Sequence, residues 1–273
     1  NLSNYLNPKF ILNLSLVAEN FYLNKEYDKA TKVLKNFDKK YEFYYWFRSK
    51  KEAQIIIKKN GYDEGIDFIN SKFSKIDNPN IKIIFDIANF YKNSKNYEKA
   101  IMYYSKIISL LSNNPEVKSD LLYRRGGSYE RLGNYEKADE DLLNSLKINP
   151  DDAYVLNYLA YSWLERDYKI DEAMEMLKKA YDLRSNDPYI TDSIGWAYYL
   201  IENYIEAEKY LKKAVELMPE DATVNDHYGD ILWKLNRNMQ ARYFWNYVLS
   251  LDNADEEIKQ KINIKILEGL KNS

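Results

Sequence analysis

Apolar positions along this chain fall three and four residues apart, the spacing of one helix face, and polar residues fill the opposite side. Into that pattern a small residue recurs at Ala18, Ala53, Ala88, Gly126, Ala160, Gly195 and Gly229, at intervals of 35, 35, 38, 34, 35 and 34. A second small residue follows twelve places later at Ala30, Gly65, Ala100, Ala138, Ala207 and Ala241, and thirteen places later at Ala173. Between the two lies a short turn, as in Lys25-Glu26-Tyr27, Lys95-Asn96-Tyr97, Gly133-Asn134-Tyr135 and Glu202-Asn203-Tyr204. Each repeat therefore predicts a helix, a tight turn and a second helix. Pro79, Pro115, Pro150, Pro188 and Pro219 fall at or near repeat boundaries, where the missing N–H of proline costs nothing, and Pro8 precedes the first repeat.

The small residues have a physical reason. Where two antiparallel helices cross, Ala or Gly lets the backbones approach while large neighbours such as Leu14, Phe21, Tyr91, Leu156, Trp163, Tyr198, Leu211 and Trp245 interdigitate around them. A single helix pair cannot bury its apolar face alone, so the pairs must stack, each touching only its neighbours. The predicted fold is all-α: an α-solenoid over residues 9–254 with about seven repeats, near 11–45, 46–80, 81–118, 119–152, 153–187, 188–221 and 222–254. Residues 1–8, ending in Tyr5-Leu6-Asn7-Pro8, read as the tail of a truncated upstream repeat. Residues 255–273 are expected to cap the array, with Ile258, Ile262, Ile266 and Leu270 on one amphipathic face.

The segment Ser119 to Asp152, SDLLYRRGGSYERLGNYEKADEDLLNSLKINPDD, carries leucine, glycine, tyrosine, Gly-x-Tyr, alanine and Asn-Pro landmarks in order. In these it resembles the tetratricopeptide repeat (TPR) family, and the resemblance extends over about residues 9 to 254. The first two repeats depart from the pattern, with Gly65 where alanine is usual, and the last lacks its terminal proline at Asn253. The resemblance implies a right-handed α-solenoid whose first helices line a concave groove for protein partners.

Composition narrows the function. The chain has 273 residues, 45% hydrophobic and 30% charged, enough for a core and unlike a disordered chain. With 40 Lys/Arg against 42 Asp/Glu the net charge is −2, which gives no general reason to bind phosphate backbones, so nucleic acid is not expected as a partner. Residues 1–150 carry +6 and residues 151–273 carry −8. The absence of cysteine excludes disulfides and thiolate metal sites. The chain starts at Asn1, and a membrane is expected as a partner only through an N-terminal lipid anchor that this chain lacks.

Reactive constellations are not found: there is no phosphate loop, nucleophile elbow, zinc helix or dinucleotide turn. Gly126-Gly127 lies within a helical pattern and reads as packing. His227 is the single histidine, set beside Asp226 and Asp230, and reads as a hydrogen-bonding groove residue rather than a metal or acid–base centre. No catalytic residue, cofactor or metal is expected, and the chain is read as non-enzymatic. Binding must then use surface. Positions three before, one after and four after each first small residue share one helical face. They are Phe85, Asn89 and Lys92, then Tyr123, Gly127 and Glu130, then Asn157, Tyr161 and Leu164, then Asp192, Trp196 and Tyr199, then Asp226, Asp230 and Trp233. From Asn157 onward this face is aromatic and acidic. Asn157, Tyr161, Asp192, Trp196, Tyr199, Asp226, Asp230 and Trp233 are the expected partner-binding residues, suited to a protein or peptide with basic and apolar side chains. The chaperone-tail carboxylate clamp known in the family is not expected, because Phe85, Asn89, Arg124 and Tyr154 lack its paired lysines.

The last three repeats, through Asp192-Ser193-Ile194-Gly195-Trp196, Val224-Asn225-Asp226-His227-Tyr228-Gly229-Asp230 and Ala241-Arg242-Tyr243-Phe244-Trp245, resemble proteobacterial envelope TPR proteins. Some of those are lipoproteins that act as adaptors for carboxy-terminal processing proteases. The resemblance implies a periplasmic or outer-membrane-associated scaffold, with a cytoplasmic one as the alternative. Two other readings are a helical arm of a larger enzyme such as a glycosyltransferase, and a pentatricopeptide-type RNA binder, which would want a more basic groove.

Overall fold

The computed structural model describes residues 11–37, 42–111, 114–251 and 254–270. The expected upstream tail at 1–8, Asn253 and the last three residues of the cap lie outside the described residues. Among the described residues there are fifteen helices and no strand. They are α1 (Ile11–Leu23), α2 (Tyr27–Leu34), α3 (Glu42–Asn60), α4 (Tyr62–Phe73), α5 (Ile81–Asn93), α6 (Tyr97–Leu110), α7 (Pro115–Arg131) and α8 (Tyr135–Ile148). There follow α9 (Ala153–Leu164), α10 (Ile170–Leu183), α11 (Pro188–Leu200), α12 (Tyr204–Leu217), α13 (Ala222–Lys234), α14 (Asn238–Ser250) and α15 (Glu256–Glu268). Odd-numbered helices up to α13 are the first helices of their repeats, and the chain is an all-α array of the solenoid class.

The turns explain the pairing. At Lys25, Lys95, Gly133, Glu202 and Asn236 the backbone is left-handed, with φ between 60° and 71°. The next amide then bonds back across the helix end, as Asn96 N–H does to the Tyr91 carbonyl and Asn203 N–H to the Tyr198 carbonyl, both at 2.9 Å. These are six-to-one closures that satisfy orphan carbonyls. The side chains of Asn96 and Asn203 then cap the second helix by accepting from the Lys99 and Glu206 amides. Asp152, Asp187 and Asp221 cap α9, α11 and α13 in the same way.

The chain forms two compact halves, residues 1–138 and 139–273, each with its own packing. In the first half, Leu14, Ala18, Ala30 and Leu34 pack with Phe37 and Ile55. A larger cluster runs from Trp46 through Ile69, Ile83, Ile87 and Tyr104 to Leu121. α3 and α7 each start four residues ahead of the expected repeat starts at 46 and 119. For α7 the reason is local: Asn114 accepts from the Val117 amide and Pro115 occupies the first turn, which adds one turn and accounts for the 38-residue interval.

In the second half, Ala153, Leu156, Ala180 and Ile190 pack together, and Ala207, Leu211, Tyr228, Ile231, Ala241, Trp245, Val248 and Ile262 form the core near its end. The small residues sit where backbones cross. A Cβ on Gly195 would lie 2.8 Å from Leu211 Cγ, and one on Gly229 would lie 2.4 Å from Trp245 Nε1. Ala160, Ala173, Ala207 and Ala241 are fully buried at the equivalent crossings.

Candidate groove and its internal pairings

The first helices carry polar and aromatic side chains that meet across successive repeats. The residue three before the small position of one repeat faces the residue two before the small position of the next. In the first half, Lys50 of α3 binds Asp86 of α5 with both oxygens at 3.0 Å, and Trp46 Nε1 donates to the same carboxylate at 2.8 Å. Phe85 of α5 carries the Arg124 guanidinium 5.2 Å over its ring. In the second half, Asp192 of α11 meets His227 of α13, and Asp226 and Asp230 of α13 meet Lys265 of α15. α15 therefore occupies the place that an eighth first helix would take.

The structure places the eight predicted residues in three different settings. Asp192, Trp196 and His227 form one group. Asp192 is buried and its two oxygens lie 3.1 and 2.9 Å from His227 Nδ1. The imidazole stacks on Trp196 with centroids 4.0 Å apart and planes at 15°, and Tyr199 stacks on Trp196 at 4.5 Å and 9°. Trp196 Nε1 donates to Glu165, exposed at the end of α9, at 3.2 Å. The tryptophan thus bridges three helices and presents only part of its ring. Burial lowers the affinity of His227 for a proton, but Asp192, Asp226 and Asp230 outweigh it and the midpoint is raised. Burial, then Asp230, Tyr204 and Asp226, push the Tyr199 phenol up.

Asp226, Asp230 and Trp233 form the second group, and α15 covers them. Lys265 Nζ lies 2.6 Å from Asp226 and 2.8 Å from both oxygens of Asp230. Trp245 Nε1 donates to Asp230 at 3.0 Å. Burial and the neighbouring Asp226 push the Asp230 carboxyl up to about 6, against the pull of Lys265 and His227. Trp233 packs on Trp245 and under the Arg242 guanidinium, and the backbone at Gly269 lies so close that a Cβ there would fall 2.0 Å from the Trp233 ring. These three side chains are turned to the terminal helix.

Asn157 and Tyr161 are the third group, half-buried on α9 one turn apart. Asn157 Oδ1 is buried with no hydrogen-bond partner. With Glu165 and the free part of Trp196 they form the accessible portion of the predicted face. Glu165 was not singled out by the pattern, although it stands four residues after Tyr161 and hence on the same face. His227 was singled out only as a hydrogen-bonding residue, and its partner is Asp192, 35 residues away, rather than its sequence neighbours. In the first half, a recess of about 300 Å³ is lined by Lys50, Gln54, Lys58, Asp86, Asn89 and Asn93 among others. Lys92, half-buried nearby, has its proton affinity lowered by burial and then by Arg124. Among the described residues no group of His, Asp and Glu is placed to hold a metal ion, and no helix is long and apolar enough to cross a membrane.

Comparison with known proteins bears on the repeats and the fold. Tetratricopeptide-repeat models match residues 81–114, 119–152 and 193–221. TPR repeat-containing protein PA4667 of Pseudomonas aeruginosa is 29% identical over 160 residues, which cover 59% of this chain and 26% of the relative. A lipoprotein NlpI homolog of Haemophilus influenzae is 30% identical over 113 residues, 41% of this chain and 35% of the relative. The chain thus spans about a quarter to a third of the length of these relatives. Among solved structures, a tetratricopeptide repeat protein from Parabacteroides merdae superposes with a TM-score of 0.60 at 16% identity, covering 82% of this chain and 88% of that one. A thermophilic TPR protein of Thermus thermophilus gives 0.60 at 16% identity over 69% of this chain and all of that one. These structural likenesses concern the fold.

Proposed function

The chain carries tetratricopeptide repeats, and on that premise we propose that it is a non-enzymatic scaffold that holds a protein partner against the first-helix face of residues 139–273. The observation that carries this is the half-buried set Asn157, Tyr161, Trp196 and Tyr199, with exposed Glu165 at its edge. Such rings offer apolar area at little cost in rotamer entropy. The carboxylates Asp192, Asp226 and Asp230 are already paired with His227 and Lys265, so Glu165 is the one through which this face favours a basic residue. The partner segment lays apolar side chains on Tyr161 and Trp196 and turns a Lys or Arg toward Glu165. The proposal extends to an envelope location, which the lipoprotein relative supports, and to an adaptor role for a carboxy-terminal processing protease, for which the support is the resemblance of the last three repeats to envelope TPR proteins.

The experiment is site-specific photocrosslinking in the native cell. A photoreactive residue at Tyr161 is expected to trap a discrete partner, one at exposed Lys178 on the second helix α10 is not, and Glu165→Gln weakens the capture. Equal trapping from both positions would remove the groove from the proposal.

A further inference from the structure

Three features of the second half converge on the joint between the sixth and seventh repeats. The first is a buried carboxylate, Asp192, whose described cation is the ring of His227 from the next first helix. The second is the stack Tyr199–Trp196–His227, which makes the imidazole one layer of a pile of rings reaching the proposed partner face. The third is that this is the one histidine of the chain, so the one imidazole proton acts here, beside an Asp230 carboxyl pushed up to about 6.

We propose that His227 is a proton-operated latch between the sixth and seventh repeats: charged, it neutralises buried Asp192 and stacks as a cation on Trp196; neutral, it leaves Asp192 an uncompensated buried charge and loosens the joint and the Trp196 ring. A neutral imidazole still donates one hydrogen bond from Nδ1, but it no longer offsets the carboxylate, and the stack loses its cation–π attraction. The groups that face the ring are named readily. α11 contributes Asp192 and Tyr199, and α13 contributes Asp226 and Asp230. α9 contributes Glu165 through Trp196, α12 contributes Tyr204 against Tyr199, and α15 contributes Lys265, bound to Asp226 and Asp230. The three aspartates favour the imidazolium, Lys265 draws on two of them, and Asp192 is left for His227. The raised midpoint of His227 fits this arrangement. A group bound more tightly to its proton when folded stabilises the fold below its unfolded midpoint and loses that contribution as pH rises through the folded one. The latch is thus closed on the acid side and released on the alkaline side. It acts on the ring that the proposed partner would touch, but it does not depend on there being a partner.

The test is an NMR titration of the full chain from about pH 5 to 9, following the single imidazole Cε1–H and the Trp196 indole N–H, the latter assigned with Trp196→Phe. The expected result is a His227 midpoint above its ordinary 6.5, with the Trp196 signal moving at the same midpoint. Asp192→Asn should lower the His227 midpoint by about a unit or more and flatten the Trp196 response. A wild-type midpoint at or below 6.5, or a Trp196 signal that stays still while His227 titrates, overturns the proposal. Because the wild-type titration decides alone, a variant that fails to fold leaves the result intact. Thermal melts should lose several degrees across the same midpoint, and His227→Gln should remove that pH dependence.

Discussion

Glu202 holds a left-handed backbone at φ 60°, as do Lys25, Lys95 and Asn236, while Gly133 alone among these turns is a glycine. The conformation strains a side chain with a Cβ and leaves glycine unstrained, so Glu202→Gly should raise stability by up to about 1 kcal/mol and Gly133→Ala should lower it by about as much, read from urea unfolding midpoints. Glycines buried at crossings answer to space instead. At Gly229 a methyl would fall 2.5 Å from Trp245 Cδ1, so Gly229→Ala should cost about 1–3 kcal/mol in the same assay. Both classes were legible as small or turn residues, because their recurrence every 34 to 38 positions exposes them. Which turn residues bear the strain was not, because neither lysine, at Lys25 and Lys95, nor glutamate, at Glu202, is a residue that favours the left-handed region.

At the scale of the element, α15 shows how a reading of separate parts misses their meeting. Its amphipathic spacing identifies a cap, and the aromatic and acidic face of α13 is visible from position alone. That the one covers the other depends on which of Lys259, Lys261 and Lys265 reaches back, and only Lys265 does so, to Asp226 and Asp230. Hence residues expected to greet a partner instead hold the terminal helix. Lys265→Met should cost about 2 kcal/mol or more near pH 7.5, since it strands a buried carboxylate. The Asp230 midpoint is raised from 3.8 to about 6, so the folded state binds this proton more tightly than the unfolded one. The contribution of Asp230 to stability therefore declines as pH rises from about 4 through 6, and the Lys265→Met penalty should shrink on acidification. Denaturant titrations at pH 5 and 7.5 check both signs.

For the whole molecule, stacked repeats make stability a sum over local crossings and near-neighbour joints. Gly195→Ala should therefore speed hydrogen exchange in α10 to α13 and leave α1 to α4 unchanged, as peptide-resolved mass spectrometry would show. Charge follows the same division, with 24 Lys/Arg against 16 Asp/Glu in residues 1–138 and 16 against 26 in residues 139–273. The period and the fold class were plain from the sequence because each repeat restates them, whereas the pairings between repeats recur in position but change their residues at every joint, so no second copy reveals them.

Those joint-specific pairings turn an array of look-alike modules into an ordered sentence. Excising residues 81–118 would set Lys50 against Arg124, cation upon cation, and the splice should fail to mate. Excising residues 222–254 would bring Asp192 to Lys265, a match in sign, and that shorter protein should still assemble. The chain therefore tolerates editing at some seams and forbids it at others, a grammar of succession that no count of repeats would disclose.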